Sequence, residues 1–292
     1  MEKIDFSENA AAWIGKTIRG FLDNSKENTL KDEKNKRAWA DPLVGFSNGA
    51  DPLYQEFKRH IGSFYWTPTE AFAKAFPHIK VLPDELTVIS WVLPQTEETK
   101  RVSRKETVYP SENWARARIF GEAVNVRLRQ HVVETLTVSG YNAVAPQLSP
   151  LWEEKRSERY GDASTWSERH AAYAAGLGTF GLSDGLITPR GKAIRCGSVV
   201  AEIEIPASGR PYSESHEYCL FRTQGICGRC IPRCPVDAID EAGHNKVKCR
   251  DHIFRVTAKH VRSHYGFEGY GCGLCQVAVP CESKIPKPSD LE

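Results

Sequence analysis

Eight of the nine cysteines of this chain fall between residues 219 and 281: Cys219, Cys227, Cys230, Cys234, Cys249, Cys272, Cys275 and Cys281. No other feature restricts the fold as much, because so many thiols in one segment must either bridge or bind. The centre reads Cys227-Gly-Arg-Cys230-Ile-Pro-Arg-Cys234-Pro235, which is C-x2-C-x3-C-P. That is the tail of the run C-x2-C-x2-C-x3-C-P by which bacterial proteins hold two iron–sulfur clusters, the Cys before Pro ligating the other cluster. A tight C-x2-C turn supplies two converging thiolates from one loop.

The run departs from that pattern at its start. Gln224 stands where the first Cys would be, and Cys219 upstream is the substitute. The second half has Cys272-Gly-Leu-Cys275, with Cys249 before it and Cys281 after it. Swapping one thiol between halves assigns Cys219, Cys227, Cys230 and Cys281 to one [4Fe–4S] cluster. Cys234, Cys249, Cys272 and Cys275 then hold the other. A zinc ribbon is the alternative for paired C-x2-C turns, but it would leave four of the thiols idle. Disulfides fit poorly with the lack of a secretory segment, and spacing alone leaves a [3Fe–4S] cluster open. Cys196, the ninth, reads as a small buried hydrophobe, with cluster ligation as its alternative.

The 292 residues suggest about two domains by the usual size prior. Net charge is +2, too small to argue for a nucleic-acid partner, which is not expected. The first residues carry no apolar signal core and no twin arginine. No run of apolar residues is long enough to span a bilayer. Clustered thiols without an export signal point to a reducing, cytoplasmic setting.

Along the chain, residues 1–40 are polar and read as a solvated helix and a mobile loop. Residues 41–86, rich in proline and aromatics, read as an irregular packed connection, with a substrate cap as the alternative. Residues 86–93 form a continuous apolar, β-branched run before Pro94 and predict a buried strand. Residues 95–110 read as an exposed loop. In residues 112–138, Ala117, Gly121, Val124, Leu128, Val132 and Leu136 recur at steps of three and four, one face of an amphipathic helix. Gly140 would cap it and residues 141–146 form the next strand. Strand, helix and strand in that order imply a parallel crossover. Thr165-Trp-Ser-Glu168 spells a capping box opening a helix that Gly176 ends. Residues 197–205 predict a further strand, residues 235–240 a short helix with Pro235 at its first position, and residues 250–264 another helix.

Gly176-Leu-Gly178-Thr-Phe-Gly181 matches G-x-G-x-x-G by letters but follows a helix, whereas a dinucleotide fingerprint follows a strand and opens one. Three glycines after a helix could form a backbone cradle for a large flat ligand, or a plain helix stop and turn.

Taken together, the segment Ser167-Glu-Arg-His-Ala-Ala-Tyr-Ala-Ala-Gly-Leu-Gly-Thr-Phe-Gly181, then Leu186-Ile-Thr-Pro189, then Gly197-Ser-Val-Val200 and two cysteine sets resembles the epoxyqueuosine reductases and reductive dehalogenases, which are corrinoid iron–sulfur enzymes. The resemblance covers roughly residues 85–285. It implies an α/β fold, with a nitroreductase-like cobalamin-binding domain over residues 86–210. An N-terminal helical or irregular region (1–85) would precede it, and a ferredoxin-like domain with two [4Fe–4S] clusters (211–292) would follow. Cobalamin would lie against Ala175, Gly176, Leu177, Gly178, Gly181, Leu186, Ile187 and Thr188. Asp162 occupies the place of the family's proton donor, and Tyr173 could donate in the dehalogenase manner; a turn residue and a core residue are the alternatives. Electrons would come from reduced ferredoxin or flavodoxin and pass through the clusters to cobalamin and on to an organic substrate. The rival expectation is an electron-transfer or corrinoid-handling protein without its own substrate pocket. The helical-repeat extension that epoxyqueuosine enzymes use with tRNA, and the twin-arginine signal of respiratory dehalogenases, have no counterpart in these residues, so a short, stand-alone cytoplasmic member is expected.

Overall fold

The computed structural model describes residues 10–291, and what the sequence suggests for residues 1–9 and 292 lies outside them. Helices α1 (Ala10–Asn24), α2 (Leu53–Ile61) and α3 (Pro68–Ala75) flank strand β1 (Leu43–Asn48) in the chain. Strand β2 (Leu86–Pro94) leads into α4 (Glu97–Ser103), α5 (Glu112–Arg116) and α6 (Glu122–Val138), then β3 (Ala143–Val144). A hairpin of β4 (Glu154–Ser157) and β5 (Gly161–Ser164) precedes α7 (Glu168–Ala174), a small ribbon of β6 (Thr179–Phe180) and β7 (Leu186–Ile187), and the long β8 (Ile194–Glu202). The cysteine segment holds α8 (Leu220–Gln224), α9 (Lys246–Asp251) and α10 (Ala258–His260), the last two joined and extended by π-helical turns. Among the described residues no helix is long and apolar enough to cross a membrane.

The main sheet runs β1-β2-β8-β3, and each hydrogen-bonded pair is antiparallel. The expected parallel crossover is therefore only half present. Strands β2 and β3 run the same way, but β8 returns from far along the chain to lie between them. All nine residues of β2 are buried. Successive side chains of a strand face opposite sides. Ile89, Trp91 and Leu93 of β2 pack with Val199 and Ala201 of β8 against Ile14, Ile18 and Leu22 of α1 and the apolar stripe of α6. Val88, Val92 and Val200 face the other way, onto Tyr54 and Phe57 of α2, Phe72 of α3, and Ala171 of α7. Two covered faces explain why β2 reads as an unbroken apolar run rather than an alternating one.

The α6 stripe is buried as its spacing requires, with Val124, Leu128, Val132 and Leu136 in the core. Ala117 and Gly121 lie on a preceding π-helical turn. Residues 25–40 are held rather than mobile. Leu30, Ala38 and Trp39 are buried, and Trp39 Nε1 donates to the Gly121 carbonyl at 2.8 Å. The sheet draws β1 from the first 85 residues, along six paired positions.

Three local expectations give way to tertiary contacts. Residues 95–110 contain α4, capped by the Thr96 hydroxyl, which accepts from the Thr99 N–H. Its Lys100 and Arg104 reach Ser283 and the buried Glu282, so α4 clasps the C-terminal segment. The capping box at Thr165 does not form. The Thr165 hydroxyl accepts from Glu153 N–H, and Glu168 is drawn away to Arg129 and Ser198. Residues 235–240 are turns, with the Ala238 N–H donating to Cys234 Sγ at 3.1 Å.

Candidate metal and cofactor site

Each C-x2-C turn is built the same way. Gly228 after Cys227 has φ +78°, and Gly273 after Cys272 has φ +70°. That left-handed region is steeply unfavourable for a side chain. At Gly273 a Cβ would also come within 1.9 Å of the Trp114 ring. The glycines let both turns fold tightly.

The structure brings Cys219, Cys227, Cys230 and Cys281 to the wall of one small cavity, lined also by Leu182 and Val279. The remaining four form a second neighbourhood, in which Cys272 is acted on by the charges of Cys275, Cys249 and Cys234. Among the described residues no three His, Cys, Asp or Glu side chains converge closely enough to grip a single ion. A cubane is bulkier than an ion and takes its four thiolates at its corners, so thiols around a cavity suit it. Burial pushes the Cys230 thiol up to about 11 and those of Cys249 and Cys272 up to about 12. Such thiols become ligands when a cation displaces their protons.

Beside this cavity lies a second, larger cleft of about 330 Å3. Its wall is charged. Arg129, almost fully buried, donates from Nε to Glu168 at 3.0 Å, from Nη1 to Glu122 at 3.1 Å, and from Nη2 to the Cys196 carbonyl at 3.3 Å. Glu122 also meets Arg195, and Glu168 accepts from the Ser198 hydroxyl. Burial raises the Glu168 carboxyl above its usual range. Burial acts the same way on Glu122, but Arg195 and Arg129 together hold its carboxyl below that range. Lys192 lines both the thiol cavity and this cleft.

Of the residues expected to cradle a ring, Leu186 lines the large cleft, while Gly181 and Ile187 line the thiol cavity. Ala175, Gly176, Leu177, Gly178 and Thr188 line neither. A Cβ on Gly178 would meet the Ile187 carbonyl at 2.2 Å, and one on Gly176 the Gly209 carbonyl at 2.3 Å. These glycines bring two stretches of backbone together. Thr188 is buried and donates to the Gly191 carbonyl. Tyr173 is packed between Phe180 and Tyr212, its hydroxyl raised by burial. Asp162 sits on β5 at the surface, 3.9 Å from Arg250 Nη1, with Ser164 two residues on at the cleft wall. Cys196 is buried, its thiol pushed up to about 12 by burial, and it is distant in sequence from either set.

The charged cleft wall escaped the sequence reading. One signal was available for part of it: Asn125 and Arg129, both buried, interrupt the apolar stripe of α6 one turn apart. Nothing in the sequence around Lys192 marks it.

No protein-family model matches the chain. Among curated proteins, the epoxyqueuosine reductase of Synechocystis sp. is 27% identical over 158 residues, which is 48% of this chain and 50% of that one. Over those residues the chain is similar to an epoxyqueuosine reductase. It spans about half the length of the curated relative it matches. Among solved structures, a catabolic reductive dehalogenase in complex with 3-bromo-4-hydroxybenzoic acid aligns with TM-score 0.50 and 14% identity, over 96% of this chain and 38% of that one. An epoxyqueuosine reductase solved with a tRNA stem loop gives 0.46 and 15%, over 96% and 69%. The dehalogenase likeness is one of fold. That similarity and that mixed α/β fold agree with the resemblance read from the 167–181 segment and the cysteine sets.

Next to the cleft, His170 of α7 packs edge-on to Phe57 and shares a 2.8 Å hydrogen bond with the Ser167 hydroxyl. Burial, helped by the charges of Arg169, His60 and Lys246 and opposed by Asp184, pushes it down to about 3. The unfolded chain takes up this proton near pH 6.5 while the folded one refuses it. Stability is therefore complete above pH 6.5 and falls as pH drops from there towards 3. His170→Gln is expected to flatten that slope by up to a few kcal/mol over the window, read as urea midpoints of the two proteins between pH 7 and 4. Parallel slopes would show that His170 does not titrate this way.

Proposed function

We propose that the chain is an oxidoreductase of the corrinoid iron–sulfur kind. The observation that carries this is the shared wall. Four thiols line one cavity, and Lys192 joins that cavity to a charged cleft. The residues fit the groups the resemblance implies. Cys219, Cys227, Cys230 and Cys281 would hold one [4Fe–4S] cluster, and Cys234, Cys249, Cys272 and Cys275 the other. The cleft offers charged and amide groups for the polar fringe of a cobalamin, and Ile194 and Leu186 for its apolar face. When bound, the clusters supply one-electron transfer and the cobalamin a low-potential metal centre able to reduce an organic substrate.

The chain's own residues do the rest. Trp166, Leu182 and Val279 keep water from the cofactor walls. The Ala238 N–H donates to Cys234 Sγ and so stabilises added negative charge on that set. Arg129 holds Glu168 and Glu122 in place and balances their charge within the cleft wall. Asp162, which the resemblance makes the proton donor, is proposed in that role, on a hairpin β4–β5 that reaches the cleft at Ser164. A reduced ferredoxin or flavodoxin is proposed as donor. The curated relative is a reductase by name, which supports an enzyme over a carrier that serves another protein. Because that relative acts on epoxyqueuosine by name, the substrate is proposed as organic, either free or borne on RNA. The expectation against a nucleic-acid partner rests on net charge alone and loses its force.

The test is anaerobic reconstitution of the full chain with iron, sulfide and hydroxocobalamin, followed by metal counting and EPR. About eight irons and one cobalt per chain are expected from two cubane sets. Iron without cobalt would remove the corrinoid from this reading. Zinc without iron would overturn it.

A further inference from the structure

Lys192 lies on the short connection between β7 and β8, and its side chain is buried, only 2% exposed. A buried ammonium is costly unless negative charge compensates it. No carboxylate among the described residues pairs with it. Its Nζ donates to the Ser183 hydroxyl at 2.9 Å, and Ser183 in turn hydrogen-bonds the Cys275 thiol. The groups whose charge, once they are thiolates, would act on it are Cys281, Cys230, Cys275 and Cys219. Its backbone N–H donates to the Cys281 carbonyl at 2.8 Å, which fixes the side chain's root against the first thiol set. Lys192 therefore lines one cavity with Cys219, Cys230 and Cys281, reaches the second set through Ser183, and lines the cleft beyond.

We propose that Lys192 is a positioning residue for electrons: a fixed buried cation, shared by both thiol sets, that raises the reduction potential of the clusters they hold. The proposal rests on the two-cluster reading above. Each one-electron reduction adds a negative charge to a cluster, and a cation at close range in a low-dielectric interior favours the reduced form. Because the same ammonium acts on thiols of both sets, both potentials rise with it. It also explains why a lysine is kept in a site that gives it no carboxylate. The loaded clusters carry the compensating charge.

The experiment is a dithionite titration of the anaerobically reconstituted full chain, followed by EPR, on the natural protein, Lys192→Met and Ser183→Ala, with iron counted in each. Lys192→Met is expected to lower both midpoints by at least a tenfold change in the reduction equilibrium, about 59 mV for one electron. Ser183→Ala keeps the charge and removes the bond to Cys275. It is expected to lower the midpoint of the second cluster and leave the first in place. If the natural protein binds no iron, the two-cluster reading falls and takes this inference with it. If Lys192→Met carries the full iron complement and its midpoints match the natural protein's, the inference alone is overturned. Should Lys192→Met lose its clusters, Ser183→Ala decides: an unchanged second midpoint overturns the proposal, and a lowered one supports it.

Discussion

Arg129→Met is expected to destabilise the protein by about 3–5 kcal/mol, the usual cost of removing one partner from a buried ion pair. The guanidinium is almost fully buried and touches Glu168, Glu122 and the Cys196 carbonyl. Methionine fills much of the same volume, so a cavity is not the main term. What remains is a buried Glu168 facing Ser198 with no cation paired to it, and a Glu122 left to Arg195 and the charge of Arg118. The deficit carries a pH signature. Without Arg129 the folded pKa of Glu168 rises further, so the cost of keeping that carboxyl ionised is relieved as acid protonates it. The variant's deficit against the natural protein is therefore expected to shrink from pH 7 to pH 5. A second substitution, Glu168→Gln, is expected to restore part of the loss. Urea denaturation of the three proteins at both pH values checks this. A loss under 1 kcal/mol, equal at both pH values, would mean the network carries little.

The second large effect concerns the thiols. Cys230→Ser and Cys281→Ser are expected to remove the same cluster, although they lie at opposite ends of the segment. Cys234→Ser, four residues from Cys230, is expected to remove the other. Each single variant should keep about four of about eight irons, by the ligand count of two cubanes. The double variants separate the possibilities. Cys230→Ser with Cys281→Ser should still keep about four irons, because both losses fall on one set. Cys230→Ser with Cys234→Ser should keep almost none. The reverse pattern would mean that each half of the segment closes on its own cluster and that no thiol is exchanged.

The resemblance and the structure meet most closely where local pattern and packing agree. Strand β2 and the α6 stripe are legible because burial on two faces, or on one, leaves its period in the sequence. The two Gly residues after Cys227 and Cys272 are likewise legible, since the turn demands a left-handed backbone there. Local reading failed where a side chain had a better partner far away. Glu168 abandons the capping box for a buried arginine, and α4 forms because Glu282 and Ser283 await its basic face. The glycine segment illustrates the same limit. Its letters speak of close approach, and only the fold shows that Gly176 and Gly178 are approached by the protein's own carbonyls.

The amino-acid sequence by itself determined which residues are thiol ligand candidates, where the tight turns fall, and which strands must be buried. Each of these follows from chemistry or periodicity within a few neighbouring residues. Only the tertiary structure decided that β8 inserts between β2 and β3, that Arg129 and two glutamates line a cleft, and that Lys192 stands between both thiol sets. Those features depend on groups far apart in the chain arriving at one place, where burial makes an unpaired charge or an unmatched carbonyl too costly to leave alone.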